Sequence, residues 1–156
     1  MNNQNETSVK QQQAVALFSN DYNCAQSVFS VFTEELGITK DLALKLSSPF
    51  GAGIAFRQET CGAVSGALMA IGLKYGKGET GSNDDKAFTY DLAHHFMAEF
   101  RKKHQTVCCR ELLNGIDMST PEGMAQLLEL DYFRIRCARY VIDAVQIADK
   151  IISKRM

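Results

Sequence analysis

Cysteine is the residue type in this chain with the most chemistry to offer. Five are present, Cys24, Cys61, Cys108, Cys109 and Cys137. Four of them, Cys24, Cys61, Cys109 and Cys137, are predicted near helix starts and on apolar helix faces. A thiol in that position meets unpaired N–H groups and the positive end of the helix dipole, both of which favour its ionised form. The thiolate is the attacking species in disulfide exchange and the ligand for soft metals. Cys108 and Cys109 diverge by about 100° if helical. Cys108 is therefore read as a bystander.

Helical spacing aligns Cys24 with Val28, Val31 and Phe32, and Cys61 with Val64, Leu68, Ile71 and Tyr75. Cys109 aligns with Leu112 and Leu113, and Cys137 with Tyr140, Val141, Ala144, Ala148 and Ile151. Residues three and four apart share a helix face, so all four sulfurs should point inward. A free cysteine is also a small, readily buried hydrophobe. A purely structural role therefore stands beside any chemical one. No CxxC pair is present, which removes the usual signature of thioredoxin-like chemistry and of zinc ribbons. Any shared site must be assembled by the tertiary fold.

The elements that carry these residues read as helices. Prolines are scarce and no stretch alternates like a strand. The expectation is an all-α, single-domain bundle of about six to eight helices over residues 7–156, behind a disordered leader at residues 1–6. A first helix runs from about Ser8 to Phe18. Asp21 is the expected N-cap of a second, with Cys24 its third residue and Gly37 its end. Thr39 caps a short helix from Lys40 to Leu46, and Pro49-Phe50-Gly51-Ala52-Gly53 breaks into a loop. Thr60 caps a helix from Cys61 to Tyr75 whose many small residues imply close approach of another backbone. Ser82 caps a long helix to His104, on which Phe88, Leu92, Phe96 and Phe100 form a core stripe. Thr106 caps a short helix bearing Cys108 and Cys109. Pro121 opens another helix, and the last covers roughly Asp131 to Lys150; Cys137 stands at a helix start only where its first turn breaks before that residue.

Short connections make neighbouring helices antiparallel. Cys61 and Cys109 should then lie at the same end of the bundle, with His104 close to both. His104 is mainly read as a cation complementing a helix C-terminus, and as a weak candidate ligand. Gly51 and Gly53 suit a close-approaching loop. Arg57 could stabilise a nearby thiolate, but as a loop arginine it is mainly read as solvated. At least one of His94 and His95 should face solvent.

The chain of 156 residues suits one domain. A net charge of -1 without Lys/Arg clusters argues against nucleic-acid binding. The polar N-terminus lacks a signal-peptide core, and the apolar run from Cys61 to Leu73 falls short of the ~17 residues a bilayer requires. The expectation is a cytoplasmic protein without membrane contact and without stapling disulfides. A homo-oligomer is compatible with the sequence, though no heptad specifies an interface.

Asn23-Cys24-Ala25-Gln26, Phe50-Gly51-Ala52-Gly53, Cys61-Gly-Ala-Val-Ser-Gly-Ala-Leu-Met and Gly72-Leu73-Lys74-Tyr75-Gly76 form an ordered set. Cys109-Arg110-Glu111-Leu112-Leu113 and Cys137-Ala138-Arg139-Tyr140-Val141 extend it. With these residues the chain resembles the family of redox-active proteins named for its C…GCAxxG…C…C pattern, over about residues 9 to 150. The resemblance carries the four family cysteines onto Cys24, Cys61, Cys109 and Cys137. Thr60 stands where the family name has glycine, and Gly62 intervenes before Ala63.

Three readings follow. In the first, the cysteines perform thiol–disulfide chemistry with a redox partner or small-molecule oxidant. Cys61 is the favoured nucleophile and Cys109 its resolving partner. In the second, Cys24, Cys61, Cys109 and Cys137 bind zinc or an iron–sulfur cluster. In the third, a helical domain simply packs its cysteines.

Overall fold

The computed structural model describes residues 2–154, with side chains from Val9 onward. The leader expected at residues 1–6 lies outside the residues whose side chains are described. The fold is all-α, as expected, with helices α1 (Asn2–Phe18), α2 (Cys24–Ser30), α3 (Thr33–Leu36) and α4 (Lys40–Ser47). A 3₁₀ turn (Ser48–Phe50) leads to the one-turn element α5 (Gly51–Ile54), followed by α6 (Gly62–Tyr75) and α7 (Asn83–His104). Then come α8 (Cys109–Leu112), α9 (Pro121–Glu129), a π-turn (Phe133–Cys137) and α10 (Ala138–Ser153). Among the described residues no helix is long and apolar enough to cross a membrane.

The chain packs around α6, which touches α2, α7 and α10, while α1 lies along α10. Small residues on α6 make this central position available. A Cβ on Gly66 would fall 2.5 Å from the carbonyl oxygen of Ala25. The backbone whose approach the small residues imply is therefore that of α2. The main core fills with Val28, Phe29, Phe32, Ile71, Phe96, Phe100, Val141 and Val145. On α7, Phe96 and Phe100 are fully buried, Leu92 packs against the core, and half-buried Phe88 sets its ring edge against Tyr75. His94 and His95 are both exposed.

Several helix starts agree with the sequence reading. Thr39, Ser82 and Thr120 each accept the expected backbone N–H, from Leu42, Asp85 and Gly123. The second helix differs. Its N-cap is Asn23, not Asp21, and Cys24 is its first residue. Asn23 and Gln26 form a reciprocal capping box, which satisfies two otherwise unpaired donors. Asp21 instead takes a left-handed turn, at φ 70°. The helix also stops at Ser30, and α3 is a separate turn closed by Gly37 at φ 74°. The last helical segment begins close to the expected Asp131, but its first turn is the π-turn at 133–137, which runs directly into α10.

His104 Nε2–H donates to Oδ2 of the buried Asp143 of α10 at 2.9 Å, and the ring packs against Phe100 and Tyr140. Lys103 and Arg139 also approach Asp143, at 3.7 and 3.4 Å. Burial lowers the His104 pKa and outweighs the attraction of Asp143. At neutral pH the imidazole is thus a neutral link between α7 and α10 rather than a cation at a helix terminus.

Candidate functional site

The four cysteines arrive from four separate segments. Cys24 opens α2 behind the Asn23 cap. Cys61 is itself the N-cap residue of α6, with extended ψ of 131°, so that Thr60 lies one position further out than expected. Cys109 is the first residue of the single turn α8. Cys137 closes the π-turn and continues directly into α10. Three of the four therefore sit at helix starts. Cys137 lies within a continuous helical path, as the last residue of the π-turn.

Backbone pairing brings Cys61 and Cys109 to one end of the molecule. Thr60 and Cys108 form an antiparallel bridge. The Cys61 N–H donates to Val107 O at 2.8 Å, and the Cys109 N–H donates to Glu59 O at 2.6 Å. Cys24 joins them across Gly62. A Cβ at Gly62 would overlap the Cys24 sulfur, so glycine is what lets that sulfur lie against the start of α6.

These thiols meet at a seam between two cores. Cys61 belongs to the main core, with Cys24 packed against it. Cys109 belongs to a smaller core with Leu113, Met118 and Leu127, and Cys137 packs against that one. Between them is a cavity of about 160 Å³ lined by all four cysteines. Phe18, Leu112, Leu113, Met118 and Phe133 supply much of the remaining wall. Its polar side chains are already engaged. Asn23 accepts from the Gln26 N–H at 2.9 Å and donates to Ser48 O at 2.8 Å, and the Tyr140 hydroxyl donates to Leu112 O at 2.8 Å. Cys108 does not line the cavity; its thiol points to Gln58 O at 3.5 Å. Arg57 is exposed, as expected, and lies outside the lining.

The electrostatics reverse the expectation of easy ionisation. Burial pushes the Cys24 thiol up, and the backbone N–H groups of Ala52, Ala25, Cys24 and Gly62 pull it partly back. Burial also pushes Cys61 well up, followed by repulsion from Cys24 and Cys109, against the N–H groups of Ala63 and Val64. Cys109 is pushed up to about 12 by burial first, then by Cys24 and Cys108, with Arg110 opposing. Cys137 rises for the same leading reason, then through Cys24 and Cys109, with Arg136 opposing. Helix-start N–H groups do favour the thiolate, but desolvation of a charge in an apolar seam is the larger effect. Among the neighbouring thiols, Cys24 exerts the largest repulsion on each of the other three.

Two features of the site escaped the sequence reading. One is the conformation of the loop after Pro49. Ala52, Gly53, Ile54, Ala55 and Phe56 are consecutive left-handed residues, with φ of 53°, 63°, 71°, 49° and 66°. A left-handed turn costs roughly 1–2 kcal/mol per non-glycine residue. It is held by the Ala55 N–H on Gly51 O at 2.9 Å and the Glu59 N–H on Gly53 O at 2.9 Å. The strain places the Ala52 N–H at the Cys24 sulfur. Gly51 and Gly53 signalled a loop; Ile54 and Phe56 gave no sign of φ above zero.

The other is Gln58, buried to 2% exposure. Its side chain donates to Ile116 O at 2.9 Å and accepts from the Met118 N–H at 2.9 Å. This clamp ties the left-handed turn to the segment that follows Cys109. Gln58→Ala should lower stability by about 1–3 kcal/mol, because it leaves buried backbone groups unpaired. Urea denaturation measures this, and a change below ~0.5 kcal/mol would contradict the clamp.

The metal reading lacks a preformed ligand set. Among the described residues no three His, Cys, Asp or Glu side chains are grouped so as to hold a metal ion. His104, the weak candidate, is bound to Asp143 and lies outside the cavity lining.

No curated protein and no solved structure matches the chain. The sequence signature described as "Putative redox-active protein (C_GCAxxG_C_C)" matches residues 22–151. With that match covering most of the chain and all four cavity cysteines, the protein belongs to the C_GCAxxG_C_C family.

Proposed function

We propose that this protein carries out thiol–disulfide exchange, with Cys24 attacking and Cys61 resolving. The observation that supports this most is the shared cavity lined by Cys24, Cys61, Cys109 and Cys137. The Cys24 thiol loses its proton and its sulfur attacks one sulfur of a disulfide R–S–S–R. The S–S bond breaks, one R–S⁻ leaves and takes up a proton, and a Cys24–S–S–R mixed disulfide remains. Cys61 then attacks the Cys24 sulfur and releases the second R–SH. The substrate gains two electrons, and two cysteine thiols become one disulfide. Cys109 and Cys137 are the further sulfurs to which the disulfide can pass.

The sequence argument favours Cys61 as nucleophile because of its place at a glycine-rich helix start. Cys24 is preferred for the first attack because backbone N–H groups oppose the effect of burial on it, whereas Cys61 is pushed further up by repulsion from Cys24 and Cys109. A thiolate at Cys24 raises its neighbours, so the thiols ionise one at a time.

The test is to oxidise the reduced protein with a limiting small disulfide and count free thiols by mass. Two thiols should be lost together and recovered with dithiothreitol. Cys61→Ser should accumulate a mixed disulfide on Cys24, while Cys24→Ser should oxidise about 100-fold more slowly. Accumulation in Cys24→Ser instead would return the first attack to Cys61. Stoichiometric zinc or iron in anaerobically purified protein, with no paired thiol loss, would replace this reading with the metal one.

A further inference from the structure

We propose that the cysteine cavity is a binding site for a small, uncharged, apolar molecule carrying the reactive S–S bond, and that it excludes charged disulfides. This inference rests on the exchange reading and names its substrate class. Three observations carry it. The first is size. The cavity holds about 160 Å³. A dry apolar cavity of roughly 150 Å³ takes up one benzene molecule, so a dialkyl disulfide with short chains fits and a peptide disulfide does not.

The second is charge. Among the described residues the lining contains no Asp, Glu, Lys, Arg or His. Arg110 is engaged with Asp117 at 3.1 Å, and Arg136 bonds to Leu112 O at 3.3 Å and lies over the Tyr132 ring. A carboxylate or ammonium entering the cavity would therefore lose its hydration without gaining a partner, a large penalty. The third is hydrogen bonding. Asn23 and Tyr140 have backbone partners already, which leaves the four sulfurs as the reactive side-chain groups of the lining. Recognition then comes from dispersion against Leu113, Met118 and Phe133, and reaction from sulfur.

The experiment oxidises the reduced full chain with dimethyl disulfide or with glutathione disulfide, the latter carrying several charges and tens of non-hydrogen atoms. Each rate is divided by that of free cysteine with the same reagent. The expected ratio favours dimethyl disulfide by about 100-fold. Benzene, which has no sulfur chemistry, should raise the melting temperature saturably and slow oxidation by dimethyl disulfide. Leu113→Phe, which fills the cavity from its wall, should abolish the benzene effect. Equal normalised rates with the two disulfides, or oxidation unaffected by saturating benzene, would overturn the substrate class while leaving exchange intact. Absence of disulfide formation with either reagent would overturn exchange itself. Saturable benzene binding would in that case still support the apolar cavity as a binding site.

Discussion

Replacing Gly62 with alanine is expected to destabilise the protein by about 2 kcal/mol, although alanine is the better helix former by about 1 kcal/mol. Gly62 is the first residue of α6, where a Cβ would overlap the Cys24 sulfur. The same Cβ would lie 2.8 Å from Phe50 O and 3.1 Å from Ala25 N. The sulfur can rotate away, but the two backbone atoms cannot, so the strain must spread into α2 and the loop after α4. Gly72→Ala is the control. It lies on the same helix with nothing within 4 Å of its added Cβ, and should gain up to about 1 kcal/mol from propensity alone. Urea denaturation of the pair gives opposite signs if the contact at Gly62 is real. In Gly62→Ala the thiol of Cys24 should also become more accessible to alkylation. Two variants of equal stability would sink the close packing of Cys24 against α6.

The second large effect is a loss of stability at alkaline pH. Burial raises the thiols of Cys24, Cys61, Cys109 and Cys137, with Cys109 reaching about 12. The unfolded chain releases these protons near pH 9, while the folded protein keeps them. The folded state therefore binds more protons across this window, and stability falls as pH rises. The contribution is complete below the ordinary thiol range and is lost progressively towards pH 12. Each thiol supplies a slope of at most about 1.4 kcal/mol per pH unit. Unfolding of the reduced protein measured from pH 7 to 10 should show this decline, and Cys109→Ala should flatten it by one thiol's share. Identical slopes in the two proteins would mean that Cys109 titrates as an exposed thiol. The same linkage makes oxidation faster as pH rises, because the attacking thiolate becomes more populated.

The order of the helices was legible because local signals specify it. Ser82 with Asp85, Thr39, and Thr120 before Pro121 satisfy helix-start donors within a few residues, so no distant part of the fold is needed to decide them. Errors arose where two local choices were close in energy. Asp21 and Asn23 are both good caps; Asn23 prevails because its side chain also bonds to Ser48 O across the chain and because Gln26 completes the box. Apolar periodicity runs through both the break at Ser30 and the π-turn at 133–137, so it does not report either.

By itself the sequence determined an all-α chain, the inward faces of the cysteines, and the common end shared by Cys61 and Cys109. Spacing of 3.6 residues per turn and short connections suffice for that. Only the tertiary structure decided that Cys24 and Cys137 join them at one cavity, that Cys108 stays outside it, and that Gln58 and a left-handed turn hold the arrangement. It also decided the protonation of the thiols. A helix start favours a thiolate through its nearest N–H groups, a local effect visible in sequence. The desolvation that outweighs it depends on apolar atoms supplied by distant segments, and those are brought together only by the fold.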